Sequence, residues 1–126
     1  VSASFDAGEL MRLAAEASAF AYAPYSRFSV GAALLFAGGE VVTGCNIENA
    51  SYGLSMCAER VAMFKAVSAG LSEAVAVAVW TPAGSTPCGA CRQVLWEFAP
   101  DVEVVLGGDE LRVVPLRALL PEPFEL

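Results

Sequence analysis

A chain of 126 residues has room for one domain, residues 1–126, and one core. Its 14 acidic residues against 7 basic ones leave a net charge of −7, and it has no histidine; this excludes a grip on polynucleotides, which needs clustered Lys and Arg, and every His-based catalytic scheme. Hydrophobic residues make up 56%, more than so small a core requires, yet no apolar run reaches the ~20 residues of a membrane-spanning helix, so the excess points to a surface shared with other copies of the chain.

Residues 1–4 lack the charged-then-apolar order of a secretion signal, which favours a cytoplasmic setting where thiols stay reduced. Residues 6–21 then read as a helix. Leu10, Leu13, Ala14, Ala17, Phe20 and Ala21 recur at three- and four-residue steps, Asp6 with Glu9 forms a cap, and Pro24 is the stop. Residues 29–36 and 41–45 read as a hairpin around the turn Ala37-Gly38-Gly39-Glu40. Phe28, just ahead of the first strand, is either a core aromatic or a site residue. Asn46 and Glu48 follow the second strand. One residue separates them, so in extended chain they point the same way. They form either a turn with a solvated glutamate or an amide–carboxylate pair suited to adjacent ribose hydroxyls.

Residues 57–69 read as a helix closed by Gly70, and 73–80 as a strand buried on both faces. A loop at 81–87 leads to a helix at 88–98, stopped by Pro100. A strand at 102–106, a turn at 107–110, a short strand at 111–114 and a helical turn at 116–120 follow. The tail from Pro121 has no regular pattern. Strands alternating with helices predict parallel crossovers in a mixed sheet, with the leading hairpin antiparallel.

The chemistry concentrates in Cys57-Ala58-Glu59-Arg60 and Pro87-Cys88-Gly89-Ala90-Cys91-Arg92-Gln93. Three thiolates suffice for a catalytic zinc and fall one short of a closed structural site. Glu59, two residues beyond Cys57, can sit beside the open position without being a ligand. Taken alone, the Cys-x-x-Cys block is equally a redox pair or part of a structural zinc site. Cys45 ends an apolar run and reads as a small buried residue. Zinc with three thiolates carries a formal charge of −1, which opposes ionising a bound water. Two helix N-termini, each worth roughly +0.5 charge, offset it. Arg60 either donates to a thiolate or forms a surface pair with Glu48 or Glu97.

These blocks resemble the His-x-Glu and Pro-Cys-x-x-Cys pattern of the zinc-dependent nucleoside and base deaminases, with Cys57 at the position more often held by histidine. In so short a chain the pattern is similar to the small, tetrameric, three-cysteine cytidine deaminases. The resemblance runs from Tyr25 to Phe98, with a weaker echo at the C-terminus. It implies a three-layer α/β/α sandwich with a mixed sheet of about five strands. It also implies one Zn2+ per chain on Cys57, Cys88 and Cys91, and a homotetramer with shared sites. The implied reaction is hydrolytic deamination of cytidine and deoxycytidine to uridine and deoxyuridine, as in pyrimidine salvage. Glu59 would be the proton shuttle, Phe28 would pack on the pyrimidine, and Asn46 and Glu48 would bind the ribose. The Ala58 carbonyl would accept from the amino group, Arg60 would offset the thiolate charge, and Phe124 would close a neighbour's site. Val61 and Thr86 depart from the threonine and serine more usual there, which touches substrate geometry and not the reaction. Two alternatives are a deaminase of another cytosine nucleoside, such as blasticidin S, and a non-catalytic zinc module.

Overall fold

The computed structural model describes residues 5–107 and 110–126; residues 1–4 and the middle of the turn expected at 107–110 lie outside them. The first helix, α1 (Ala7–Ser18), begins as the sequence predicts: Asp6 accepts from the Glu9 amide at 3.0 Å and so satisfies one free N–H of the first turn. It ends before residue 21 because its apolar stripe has nothing to pack against there. Phe20 is 82% exposed, and residues 19–21 close in tighter three-residue turns.

Five strands follow: β1 (Gly31–Phe36), β2 (Val41–Cys45), β3 (Ala74–Trp80), β4 (Glu103–Leu106) and β5 (Arg112–Pro115). They form one sheet in the order β2-β1-β3-β4-β5. β1 runs antiparallel to both β2 and β3, β3 and β4 are parallel, and β4 and β5 are antiparallel. The parallel pair is joined through helix α3 (Gly89–Phe98), as such a crossover requires. Helix α2 (Ala58–Ser68) links β2 to β3, and a single turn, α4 (Leu116–Leu119), follows β5.

Alternation along each strand divides the core in two. Leu10, Met11 and Ala14 of α1 pack on Ala33, Ala76, Ala78 and Val105 on one face of the sheet. On the other face Ala32, Leu34, Val77, Val79 and Val104 meet Ala58, Ala62 and Ala66 of α2 and Leu95 of α3. β3 is buried on both sides from Ala76 to Val79, which explains its unbroken apolar run. The result is the expected α/β/α sandwich, with α2 and α3 side by side on one face.

Two glycines set the layer spacing. A Cβ on Gly31 would lie 1.8 Å from the Ala14 carbonyl oxygen of α1. One on Gly44 would lie 2.6 Å from the Ala62 amide nitrogen and 2.7 Å from the Ala58 carbonyl oxygen of α2. Both helices therefore rest directly on strand backbone. On α2, Met63 is core at 2% exposed, whereas its neighbour Phe64 remains open at 43%. Among the described residues no helix is long and apolar enough to cross a membrane.

Candidate active site

Cys57 and Cys88 are the N-cap residues of α2 and α3. Each has extended backbone angles, and neither thiol takes a capping hydrogen bond. Both sulfurs are thus free of the backbone amides of the helices they introduce. Cys91, one turn into α3, is buried, and the three Sγ atoms all lie within 4.8 Å of one another. Cys57 and Cys88 are 3.9 Å apart, sulfur to sulfur. A tetrahedral zinc with Zn–S bonds of about 2.3 Å holds its sulfurs roughly 3.8 Å apart. The donor set and its spacing therefore fit zinc, with three protein ligands and one position left over.

Arg60, on the first turn of α2, donates from Nη2 to Cys57 Sγ at 3.2 Å. It forms none of the salt bridges found among the described residues, so the thiol contact displaces the surface-pair reading. A hydrogen bond from Cys91, with Arg60 adding to it against the effect of burial, lowers the Cys57 thiol to about 5. Cys91 moves the other way, because it donates to Cys57 and is itself buried. Glu59 is only 4% exposed, and burial first, with the neighbouring Cys57 charge, pushes its carboxyl above the usual range. Of the buried residues, Glu59 and Thr81 alone are polar among those described.

A cavity of about 610 Å³ opens over this cluster, within the size range of small-ligand pockets. Cys57, Ala58, Glu59, Arg60 and Cys88 form one wall; Phe28, Asn46 and Glu48 form the other. The second wall is irregular chain held by side chains. Asn46 Oδ1 accepts from the Val30 amide at 2.9 Å, and its Nδ2 donates to the Phe28 carbonyl at 2.8 Å. Glu48 Oε1 accepts from the Tyr25 and Ser26 amides at 2.9 and 3.1 Å, and the Ser26 hydroxyl donates to Oε2. That hydroxyl, ahead of the two amides, holds the Glu48 carboxyl below its usual range. Ser26 Oγ also accepts from the Phe28 amide at 3.0 Å. Within this wrap Arg27 adopts φ 58°, a left-handed conformation that a non-glycine residue keeps only when its surroundings impose it.

Asn46 and Glu48 do point the same way, as their spacing predicts, but both first meet the backbone of 25–30. Ser26, Tyr52, Ser55 and Met56 also line the cavity and carried no flag in the sequence. A serine two positions before Phe28 could have been read as a turn former. Tyr52 sits in a short 3-10 turn, Tyr52–Leu54, edge-on to Tyr25 with ring centroids 6.1 Å apart. Phe124 lies outside the cavity lining and is 70% exposed. Gln93 brackets its backbone, donating to the carbonyl and accepting from the amide, each at 3.0 Å. A larger cavity, about 800 Å³, lies by the start of α1, but its titratable groups are carboxylates alone: Asp6, Glu9, Asp101 and Glu103. Two of these are ion-paired, Glu9 with Arg12 and Asp101 with Arg117, and Asp6 caps α1.

Three thiols at two helix starts, a buried carboxyl beside them and an open cavity above define a zinc hydrolase on an α/β/α sandwich. The model of the cytidine and deoxycytidylate deaminase zinc-binding region matches residues 6–107. The chain is 51% identical to a cytidine deaminase of Halalkalibacterium halodurans over 91% of both chains. It is 47% identical to one of Mycobacterium tuberculosis, over 90% of this chain and 85% of that one. The crystal structure of a cytidine deaminase from Burkholderia pseudomallei superposes with a TM-score of 0.91 at 47% identity, over 95% of this chain and all of that one. The chain belongs to the cytidine deaminase family, and zinc is its cofactor.

Proposed function

We propose that this protein hydrolyses the exocyclic amino group of cytidine and deoxycytidine, giving uridine or deoxyuridine and ammonia, in cytoplasmic pyrimidine salvage. The observation that carries this reading is Glu59: a buried carboxyl with a raised pKa, opening on a nucleoside-sized cavity beside three clustered thiols. Cys57, Cys88 and Cys91 would hold the zinc, which would supply Lewis acidity that activates water near neutral pH. Glu59 carries one proton of the attacking water to ring N3 as the water oxygen bonds C4 of the ring. It then carries the second proton, taken from the new C4 hydroxyl, to the exocyclic nitrogen as the C4–N bond breaks and C4 keeps the oxygen as a carbonyl, so that ammonia and not an amide anion departs. Burial raises its proton affinity above that of a solvated carboxyl, in the direction that favours this exchange. The Ala58 carbonyl accepts from the substrate amino group, and Phe28 packs against the ring. Arg60 offsets the thiolate charge.

Asn46 and Glu48 hold the ribose hydroxyls. A carboxylate has about four acceptor sites, and the chain occupies three on Glu48, which leaves capacity toward the cavity. The whole chain acts as one domain and assembles as a homotetramer. Support for assembly comes from exposed apolar side chains beside β2 and on α2: Phe20, Tyr22, Ile47, Phe64 and Val67. Phe124 reaches a neighbouring site, so deleting residues 121–126 raises KM without removing zinc. The test of the reaction is the ultraviolet change as cytidine is consumed by zinc-loaded protein. Absence of turnover on cytidine and deoxycytidine at micromolar enzyme would overturn it. Sedimentation of an active species at the mass of one 13.1 kDa chain would overturn the tetramer.

A further inference from the structure

Arg92 follows Cys91 on α3 and has no part in the chemistry above, yet each nitrogen of its guanidinium is engaged. Nε donates to the Pro87 carbonyl at 2.8 Å, Nη1 to the Leu119 carbonyl at 2.7 Å, and Nη2 to the Thr86 hydroxyl at 3.0 Å. All three acceptors are neutral, and Arg92 forms no salt bridge among the described residues. A charged fork placed on neutral oxygens acts through geometry, because its planar donors fix several acceptors relative to one another. Two of those acceptors immediately precede Cys88; the third ends α4, on a different element. Cys88 is the exposed member of the thiol cluster and caps its helix without a side-chain hydrogen bond, whereas Cys91 is buried. Its position depends on the loop that leads into it.

We propose that Arg92 is the positioning residue for Cys88. It clamps Thr86-Pro87 to the end of α4 and so holds the most exposed sulfur, and the cavity wall at Thr86, in the geometry that zinc needs. This rests on the reading that Cys88 is a zinc ligand.

The test is the rate at which zinc-loaded protein releases metal to an excess of chelator, for the parent, Arg92→Lys, Arg92→Ala and Gln93→Ala. Urea midpoints and the thiolate-to-metal band of cobalt-loaded protein are recorded alongside. Loss of an outer partner of a metal site lowers metal affinity about 10- to 100-fold. The expected result is release about tenfold faster or more in Arg92→Ala, with a shifted cobalt band. Arg92→Lys falls between that and the parent, because an ammonium reaches some of the acceptors but not all. Gln93→Ala, which frees only the tail, stays within about twofold of the parent. If Arg92→Ala does not fold, Arg92→Lys against the parent decides alone, and release faster than the parent is then the expected result. The proposal is overturned if release in the Arg92 variants equals the parent, if Gln93→Ala accelerates it equally, or if release merely tracks the fall in urea midpoint. The underlying ligand assignment fails separately, and visibly, if the parent binds no zinc or Cys88→Ala holds it as well as the parent.

Discussion

The two walls of the cavity are built on different principles. The thiol wall hangs from two helix starts whose bodies are sunk in the core: Ala58, Ala62, Met63 and Leu95 behind it are all buried. The facing wall, residues 25–30 with 46–48, touches the core only through Val30. Phe28 and Tyr25 are exposed, and the chain is kept in shape by five hydrogen bonds that Asn46 and Glu48 make to it. The first wall inherits the stability of the domain; the second is only as stable as its polar contacts, each worth about 0.5–1.5 kcal/mol net. Damage to the first should therefore abolish chemistry, and damage to the second should loosen substrate.

The largest effect is expected from Cys91→Ala, which removes the buried thiol of the cluster. Elemental analysis should find the zinc gone, turnover should vanish, and the fold should lose stability, because metal binding and folding are coupled. Cys45→Ala should retain full metal. Glu59→Gln comes next: zinc and fold persist, while kcat falls by about 10² to 10⁴, the range for a positioned acid–base group. Steady-state kinetics on protein of measured zinc content checks this. On the other wall, Asn46→Ala strips partners from the Val30 amide and the Phe28 carbonyl. KM should rise about tenfold, the equivalent of 1.4 kcal/mol, with zinc content unchanged.

The smallest effect concerns pH. Glu48 has a folded pKa below its unfolded value of about 4.3. Its contribution to stability is thus present above that unfolded value and is lost as pH falls through the lower folded one. The stability gap between the parent and Glu48→Gln, followed by urea unfolding, should be flat near neutrality and shrink only below about pH 4. A gap that grows on acidification would contradict the wrap around Glu48.

The same division explains what the sequence made legible. Zinc chemistry demands particular atoms, so the clustering of Cys57, Cys88 and Cys91 could be read from residue type and spacing. The sheet followed from alternation and from the doubly buried run in β3. The facing wall was only half visible, since backbone can satisfy a side chain from any direction. Asn46 and Glu48 declared themselves, but the reach of Glu48 back to Tyr25 and Ser26, 23 and 22 residues earlier, leaves no local pattern. Nor do the bridges from Tyr22 to Ile47 and from Ile47 to Met56 that hold this segment in place. The early end of α1 was hidden for another reason: Phe20 continues the helical period but faces outward.

The contact at Gly44 sets a mechanical tolerance for the whole site. Because α2 lies on bare backbone there, the altitude of Cys57 and Glu59 above the sheet is fixed by an atom that is missing. Restoring that atom inserts a shim about 1.5 Å thick, one carbon–carbon bond, beneath the first two turns of one helix. Cys88 and Cys91 ride on the other helix and would stay where they are. The shim would then act as a lever on one corner of a triangle of sulfurs. Position 44 is a place where a single methyl group would strain metal affinity and folding together.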